Sequence, residues 1–305
     1  MQILDWLLDS DPSIRWQVQR DLLHAPDEVV AAERARVATE GWGARVLALQ
    51  AADGQWDGAT FSQGWTCTFY SLLFLRELGL PPNCVAARKA VGLVRDHVTW
   101  GEQWDNRRFF EGEVEPCING RVLALGATYG EPNRPLLERL LGEQLEDGGW
   151  NCEAPRNSRR SSFHTTICVL DGLLAWEQAG GASSVVTAAR RRGEEYLLER
   201  RLFRRLSSGE VVDPDWTRFS FPPRWHYDVL RGLDYLRSAG HPPDARVAEA
   251  VQLVESKRSA DGRWLLENRH PGRAHFEMEE EGAPSRWNTL RALRVLDWYR
   301  NASHD

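Results

Sequence analysis

The sequence predicts an all-helical protein folded as one closed ring of about six helical hairpins, a single α/α-toroid domain or (α/α)6 barrel over residues 1–305. Three observations predict this architecture. Six similar apolar helices recur along the chain, more polar helices alternate with them, and a tryptophan-containing pattern separates several of the hairpins. Because such a ring encloses a central cavity, we expect any functional site to lie there.

Composition and charge narrow the possible functions. Hydrophobic residues make up 42% of the chain and charged residues 27%, which is typical of a globular protein. The net charge of −6 disfavours a nucleic-acid-binding protein, and no apolar run reaches the roughly 20 residues of a membrane helix. Five scattered cysteines and an N-terminus without a basic, signal-like start favour a reduced, cytoplasmic protein.

The inner helices of the ring are predicted from six aligned starts. The polar residues at these starts are spaced 49, 51, 47, 62 and 62 residues apart. A period near 50 accommodates an inner helix, an outer helix and two connections. Several of these helices end at glycine with proline just beyond, which is a common helix C-terminus. The aligned positions are Gln17, Thr66, Cys117, His164, His226 and Asn288.

The outer helices and the longer connections follow from the same register. We expect the first hairpin within residues 1–40. Two long segments, 202–223 and 265–285, are predicted to be lid-like loops over the cavity. The outer helices, which are richer in Arg and Glu, are predicted at 29–40, 82–98, 133–144, 183–201 and 243–257.

A glutamine–tryptophan pattern precedes three of the inner helices. Residues 50–56 and 144–150 both read Q-x-x-x-G-x-W, and residues 258–264 fit it with Arg in place of Gln. Asp-Gly forms the turn, and we interpret the tryptophans as structural staples between hairpins. The pattern resembles the QW repeat of squalene cyclases and related terpenoid cyclases, and this resemblance implies the toroid fold.

The acid motifs of terpene cyclases are missing. Class II cyclases protonate an alkene with Asp-x-Asp-Asp, and class I synthases hold magnesium and diphosphate with Asp-Asp-x-x-Asp. Neither motif occurs here, and the closest string, Asp213-Pro214-Asp215-Trp216, lacks the final acid. A standard hydrocarbon cyclase is therefore disfavoured.

Two segments resemble the zinc-binding segments of protein prenyltransferase β subunits. Glu115-Pro116-Cys117 stands where that family has Asp-x-Cys, and residues 163–173 (FHTTICVLDGL) echo its second segment. The resemblance implies zinc ligation by Cys117 and His164, and less closely by Glu115, whose counterpart is Asp.

The chemistry of the aligned starts also indicates a metal site. Cys117, His164 and His226 begin three consecutive inner helices, and Cys152 precedes the second of these. Thiolate and imidazole are preferred zinc ligands, so these four residues are the predicted zinc ligands. A satisfied polar ring without metal is the alternative. Glu115 and Asp228 are the candidate catalytic acid or base groups.

Substrate-binding candidates fall into two groups. Arg156, Arg159 and Arg160 precede His164 and would bind a diphosphate or carboxylate at the cavity mouth. The others are polar or aromatic residues at inner-helix starts, which would face a hydrophobic ligand. They are Trp65, Thr66, Trp225, Trp287 and Asn288.

The leading functional hypothesis is a zinc-dependent enzyme resembling prenyltransferases and terpene cyclases. Its partner would be a hydrophobic, isoprenoid-like or diphosphate-bearing small molecule, with a peptide thiol as a further candidate. One alternative is a metal-free cyclase or isomerase that uses an unrecognised acid. A second is a non-catalytic toroid that binds a peptide or lipid. A carbohydrate-active barrel is disfavoured because the inner positions supply no pair of carboxylates.

Overall fold

The computed structural model describes residues 3–62 and 64–301. Within these residues the chain forms thirteen α-helices and one short antiparallel strand pair, β1 (Trp264–Leu265) and β2 (Pro284–Ser285). The helices are α1 (Ile3–Leu8), α2 (Pro12–Asp21), α3 (Asp27–Ala35), α4 (Gly41–Leu47), α5 (Thr68–Leu78), α6 (Val85–His97), α7 (Pro116–Tyr129), α8 (Arg134–Gly142), α9 (Phe163–Trp176), α10 (Ser184–Glu199), α11 (Val229–Ser238), α12 (Ala248–Ser256) and α13 (Arg286–Asn301).

Six helices form the inner ring: α2, α5, α7, α9, α11 and α13. Consecutive members contact each other along α5, α7 and α9, and again between α11 and α13. The ring closes where α13 meets α2, and Arg294 there donates a 2.9 Å hydrogen bond to Gln17. The all-α toroid predicted from the repeats is therefore the observed architecture.

The outer helices α3, α6, α8, α10 and α12 overlap the five predicted ranges, with ends that differ by a few residues. The first inner helix begins earlier than the sequence pattern indicates. The Asp11 side chain accepts a 2.9 Å hydrogen bond from the Ser13 amide, and Pro12 occupies the first turn, so the helix begins at residue 12. The short helix α4 was not predicted.

Three fully buried tryptophans join each preceding helix to the next inner helix. In each case the indole N–H donates a 2.7 Å hydrogen bond to a carbonyl of the preceding helix, and the backbone N–H donates to a threonine hydroxyl of the following one. Trp56 joins Val46 to Thr68, Trp150 joins Leu140 to Thr166, and Trp264 joins Val254 to Thr289.

The adjacent Gln side chains extend this connection to the following outer helix. Gln50 donates a 2.9 Å hydrogen bond to the Ala90 carbonyl of α6, and Gln144 donates a 2.8 Å bond to the Ala189 carbonyl of α10. Each such turn thus bonds to three helices through buried polar groups. These bonds hold neighbouring hairpins against each other.

Glycines bring α7 and α9 into unusually close contact. A Cβ atom on Gly172 would lie 2.2 Å from the Gly120 carbonyl oxygen, and one on Gly120 would lie 2.6 Å from the Cys168 carbonyl oxygen. Only glycine allows the two backbones to approach this closely. The contact aligns the N-termini of α7 and α9, where several of the predicted functional residues lie.

The two predicted lid-like loops lie at the end of the ring formed by the inner-helix N-termini. The second loop contacts the start of α5 and the residues before it. Its Arg273 carbonyl accepts a 2.8 Å hydrogen bond from the Trp65 amide, and its His275 Nε2 lies 2.7 Å from the Ser71 hydroxyl. The first loop reaches inward, because Phe221 stacks on Trp287 with ring centroids 4.0 Å apart. Within residues 3–62 and 64–301, no helix combines the length and apolarity needed to cross a membrane.

Candidate functional site

The structure brings three of the predicted functional residues together at the N-terminus of α7. The ligand atoms of Glu115, Cys117 and Cys152 all lie within 4.8 Å of one another. Cys117 begins α7, while Cys152 lies in the turn that follows Trp150 and contacts Thr165 of α9 at 3.4 Å. The close packing of α7 on α9 therefore places the two thiols side by side.

The two neighbouring thiols differ in acidity. The Cys117 thiol donates a 3.6 Å hydrogen bond to the Glu115 carboxylate, and the neighbouring Cys152 sulfur and burial raise the pKa of Cys117. The neighbouring Cys117 and Thr165 side chains lower the pKa of Cys152, against the effect of burial. Cys152 is thus the sulfur that ionises first. Two sulfur donors and one carboxylate oxygen form a donor set that suits zinc, and three ligands leave a fourth position open.

The predicted histidine ligands lie in a neighbouring aromatic cluster. His164 accepts a 2.8 Å hydrogen bond at Nδ1 from the Tyr227 amide. His226 is stacked between Trp225 and His270, with centroids 3.7 Å from each. Burial lowers the pKa of both His164 and His226 to about 4, so both rings are neutral at neutral pH. Neither histidine belongs to the group of ligand atoms within 4.8 Å of one another at Glu115.

Several other predicted residues have structural contacts. Asp228 is 3% exposed and caps α11, where it accepts a 2.7 Å hydrogen bond from the Arg231 amide. Asn288 is fully buried and donates to the Phe219 and Leu265 carbonyls. Thr66 donates a 2.7 Å hydrogen bond to Asp57. All three side chains are therefore engaged in hydrogen bonds within the protein.

The predicted arginine and tryptophan candidates lie in different surroundings. Arg156, Arg159 and Arg160 are exposed, and Arg156 pairs with Glu153. Trp225 is 38% exposed at the N-terminal end of the ring, whereas Trp65 is buried under the second loop. Of these residues, Trp287 alone lines the large cavity inside the ring.

This cavity has a volume of about 620 Å³ and lies toward the C-terminal ends of the inner helices. It is bounded on the other side by Phe221 and Pro223 of the first loop. Thr128 lines it, and Cys117 is eleven residues earlier on the same helix, so about 16 Å of helix separates the cavity from the thiol pair. The two candidate sites are therefore distinct.

The cavity is aromatic and strongly charged rather than purely apolar. Trp16, Phe221, Tyr235 and Trp287 contribute aromatic walls. The charged lining comprises the arginines 20, 34, 76, 231, 237, 291 and 294 and the acids Asp21, Glu77, Asp171 and Asp234. Positive charge is thus in excess.

The acids neutralise only part of this cavity. On the side of α11 and α13, Arg231 pairs with Asp171 at 2.7 Å, and Asp234 pairs with Arg237 at 3.1 Å and also with Arg294. These arginines hold the pKa of Asp234 well below its usual value, against the effect of burial. This side is a satisfied ionic network that joins three inner helices.

The opposite side, at α2, α5 and α7, carries unneutralised charge. Arg34 uses Nε to bind the Gly79 carbonyl at 2.7 Å and lies over the Trp16 ring. Arg76 uses Nε to bind Thr128 at 3.0 Å. Within the described part of the chain, neither guanidinium forms an ion pair with a carboxylate, and neither uses its terminal nitrogens in a hydrogen bond.

Glu77 is the acid of the cavity that remains without a direct contact. Among the described residues its carboxyl group forms no hydrogen bond or ion pair, although it lines the cavity. Burial raises its pKa, while the charges of Arg121, Arg224, Arg231 and Arg76 oppose that increase. A carboxyl group whose pKa is raised by burial and lowered by nearby arginines is a potential proton donor.

Sequence reasoning missed these cavity residues. Glu77 and Arg76 occur near the end of an apolar helix, where charged residues usually cap the helix in solvent. Arg34 lies on an outer helix and reaches the cavity only because its long side chain crosses Trp16. For Arg76 and Glu77, the available sequence signal is that an adjacent Arg-Glu pair occurs at the end of an inner helix.

Comparisons with known proteins yield structural likeness only. No protein-family model and no curated protein matches the chain. The chain is similar to type II terpene cyclase MstE from Scytonema in its apo form, with 16% identity, a TM-score of 0.47, and coverage of 94% of this chain and 86% of that one. A variant of that cyclase in complex with geranylgeranyl dihydroxybenzoate has 15% identity, a TM-score of 0.44 and the same coverage.

Proposed function

We propose that this protein is a metal-free proton-transfer enzyme, a cyclase or isomerase, that acts on a partly hydrophobic small molecule in the ring cavity. The observation that carries the proposal is the Glu77 carboxyl group, which lines the cavity and has no direct hydrogen-bond or ion-pair partner among the residues that the structure describes. This residue supplies the acid that the sequence motifs lack.

The surroundings of Glu77 suit a general acid in two ways. Burial favours the protonated form, so the acid is loaded at the start of the reaction. After the proton moves to the substrate, the surrounding arginines stabilise the resulting carboxylate. Return of a proton from another position of the substrate to Glu77 would complete an isomerisation or cyclisation with no net change in atoms.

The aromatic walls support a hydrophobic, isoprenoid-like substrate. Trp16, Phe221 and Trp287 offer ring faces, and such faces attract positive charge as well as apolar groups. The adjoining arginines oppose a free cation, so a negative group on the substrate would have to offset them.

Proton delivery by Glu77 can be tested with heavy water. Farnesyl and geranylgeranyl alcohols, acids and diphosphates are incubated with the protein, and products are identified by mass spectrometry. We expect a product of unchanged mass in H₂O that carries one deuterium in D₂O, as proton transfer requires. Turnover should fall as pH rises through the elevated pKa of Glu77, because the donor is then ionised.

Substitution identifies the donor. Glu77→Gln should lower turnover by about 100-fold or more, since it removes the acidic proton and preserves the shape. Exposed Glu102→Gln is the matched control and should retain wild-type turnover. Full turnover by Glu77→Gln would rule out this role, and loss of turnover with EDTA would favour a metal enzyme.

The clustering of Glu115, Cys117 and Cys152 favours a second candidate, a zinc-dependent enzyme of the prenyltransferase type. These three residues would hold zinc, and the bound metal would lower the pKa of a thiol or water at the open position. His164 would join them only if its Nε2 moved closer to the thiols.

Elemental analysis of untagged protein purified under reducing, chelator-free conditions tests this second candidate. We expect about one zinc per chain, lost in the double variant Cys117→Ser, Cys152→Ser. The His164→Ala variant tests whether His164 is a fourth ligand. It should retain the metal if Glu115, Cys117 and Cys152 are sufficient to bind it. Absence of metal from the wild-type protein would exclude the zinc enzyme.

A further inference from the structure

The donors around the α2, α5 and α7 side of the cavity exceed the acceptors. Arg34 and Arg76 leave their terminal nitrogens free of hydrogen bonds to the described residues, because each guanidinium donates through Nε alone. The carbonyl of Gly79 and the hydroxyl of Thr128 thus account for one nitrogen of each arginine. The remaining four nitrogens are strong donors with a fixed planar geometry.

Two further donors near this region are also unsatisfied. The Tyr129 hydroxyl is buried and has no hydrogen-bond partner within residues 3–62 and 64–301, and the residue is 9% exposed. Arg34 and Arg76 both act electrostatically on this hydroxyl. Trp287 lines the cavity, and its indole N–H is likewise buried and has no acceptor in the described part of the chain. A buried donor left without an acceptor costs about 1–3 kcal/mol.

A bound oxyanion would accept hydrogen bonds from the free nitrogens of Arg34 and Arg76, because both side chains line the same cavity. From this set of donors we infer that the cavity binds the oxyanionic group of its ligand, a phosphate or carboxylate, between Arg34 and Arg76. Arginine matches such groups because its nitrogens can donate two parallel hydrogen bonds to two oxygens. This inference rests on the proposed function, because it identifies the substrate of the proposed enzyme as an anion.

The location of this oxyanion site separates it from the arginines predicted in sequence. Arg156, Arg159 and Arg160 are exposed, and they lie near the other end of the ring. Arg34 is partly buried, and burial lowers the pKa of its guanidinium. Lower local polarity strengthens its attraction to an anion relative to that of an exposed arginine.

Substitution of Glu77 should affect anion binding in the opposite direction to substitution of the two arginines. Its carboxyl group is adjacent in sequence to Arg76 and lines the same cavity, so any ionised fraction repels an incoming anion. At a pH above the pKa of Glu77, where the carboxylate is ionised, neutral glutamine at this position should therefore strengthen anion binding, even though it removes the proposed proton donor. Binding and catalysis thus respond to this substitution in opposite directions.

Calorimetric titration with inorganic diphosphate and with citrate tests the oxyanion site without any turnover. We expect saturable binding of at least one probe, and the preferred probe shows whether phosphate or carboxylate is recognised. Arg34→Gln and Arg76→Gln should each weaken binding at least tenfold. Exposed Arg88→Gln on α6 removes the same charge and should leave binding unchanged.

The outcomes separate this inference from the proposed function. Binding that is tighter in Glu77→Gln and weaker in the two arginine variants supports the oxyanion site, whether or not Glu77 is catalytic. Failure of both probes to bind the wild-type protein, or equal binding by Arg34→Gln, Arg76→Gln and Arg88→Gln, would overturn it. Circular dichroism of each variant establishes that the fold is retained.

Discussion

At the scale of single residues, His275 illustrates how a buried side chain makes a loop sensitive to pH. Its Nε2 lies 2.7 Å from the Ser71 hydroxyl, and Arg224, Arg273 and Asp57 lie within electrostatic reach. Burial is the main reason that the pKa of His275 is below its usual value, and the nearby arginines act in the same direction. The folded loop therefore favours the neutral ring.

The sign of this effect predicts loosening of the loop in acid. Because the folded-state pKa is depressed, the stabilisation is complete above the unfolded-state value of about 6.5 and is lost as pH falls below it. We expect the Arg273 region to exchange its amide hydrogens faster at pH 5 than at pH 7, after correction for intrinsic exchange. Hydrogen–deuterium exchange with mass spectrometry measures this directly.

Two variants assign the pH effect. His275→Gln retains a polar side chain that cannot be protonated, so the pH dependence at residues 270–276 should become shallower. His97→Gln, on an exposed part of α6, should leave it unchanged. An unaltered pH dependence in His275→Gln would show that other groups control the loop.

Residue-level prediction worked where a local rule determined the structure. Trp56, Trp150 and Trp264 were predicted as staples, and all three are buried and bonded between helices. It failed for Glu77 and Arg34, because a side chain's access to the cavity depends on the packing of distant helices. The ligand set of Cys117 remains a prediction, since spacing alone does not determine which of several nearby groups face one another.

At the scale of elements, the α7–α9 contact depends on two glycines. Gly172→Ala would place a methyl group 2.2 Å from the Gly120 carbonyl oxygen, and both partners are backbone that has little freedom to move. We expect a loss of about 1–3 kcal/mol in the free energy of unfolding from overpacking. Urea unfolding followed by circular dichroism measures this change.

A matched glycine elsewhere has the opposite expectation. Gly92 is inside the outer helix α6, and a Cβ there would approach only the end of the Arg95 side chain, at 3.8 Å. Gly92→Ala should therefore stabilise the protein by up to about 1 kcal/mol through helix propensity. Equal effects of the two substitutions would show that the α7–α9 spacing is not set by glycine.

Helix positions were predicted more accurately than helix contacts. Apolar periodicity and Gly-Pro endings located the inner helices α5, α7, α9, α11 and α13 and their outer partners, because both signals are local. The glycine contact between α7 and α9 gave no comparable signal, since Gly120 and Gly172 belong to different repeats.

At the scale of the whole molecule, the ring separates two kinds of chemistry. The thiol pair lies at the N-terminal end of the inner helices, and the arginine-rich cavity lies toward the C-terminal end. The sequence predicted a closed ring from its six repeats, yet it placed all functional residues at one end. Repeat alignment identifies equivalent positions on helices, but it does not show which of the two ends encloses a cavity.

The closure of the ring also sets the time at which a binding site first exists. The cavity draws Trp16 from the second helix and Arg291 and Arg294 from the last one. While the chain is being synthesised, the earlier hairpins can pack on their neighbours, but the cavity has a missing wall until α13 docks against α2. A nascent chain therefore cannot hold its ligand, and ligand binding would favour the completed ring over every partly assembled state.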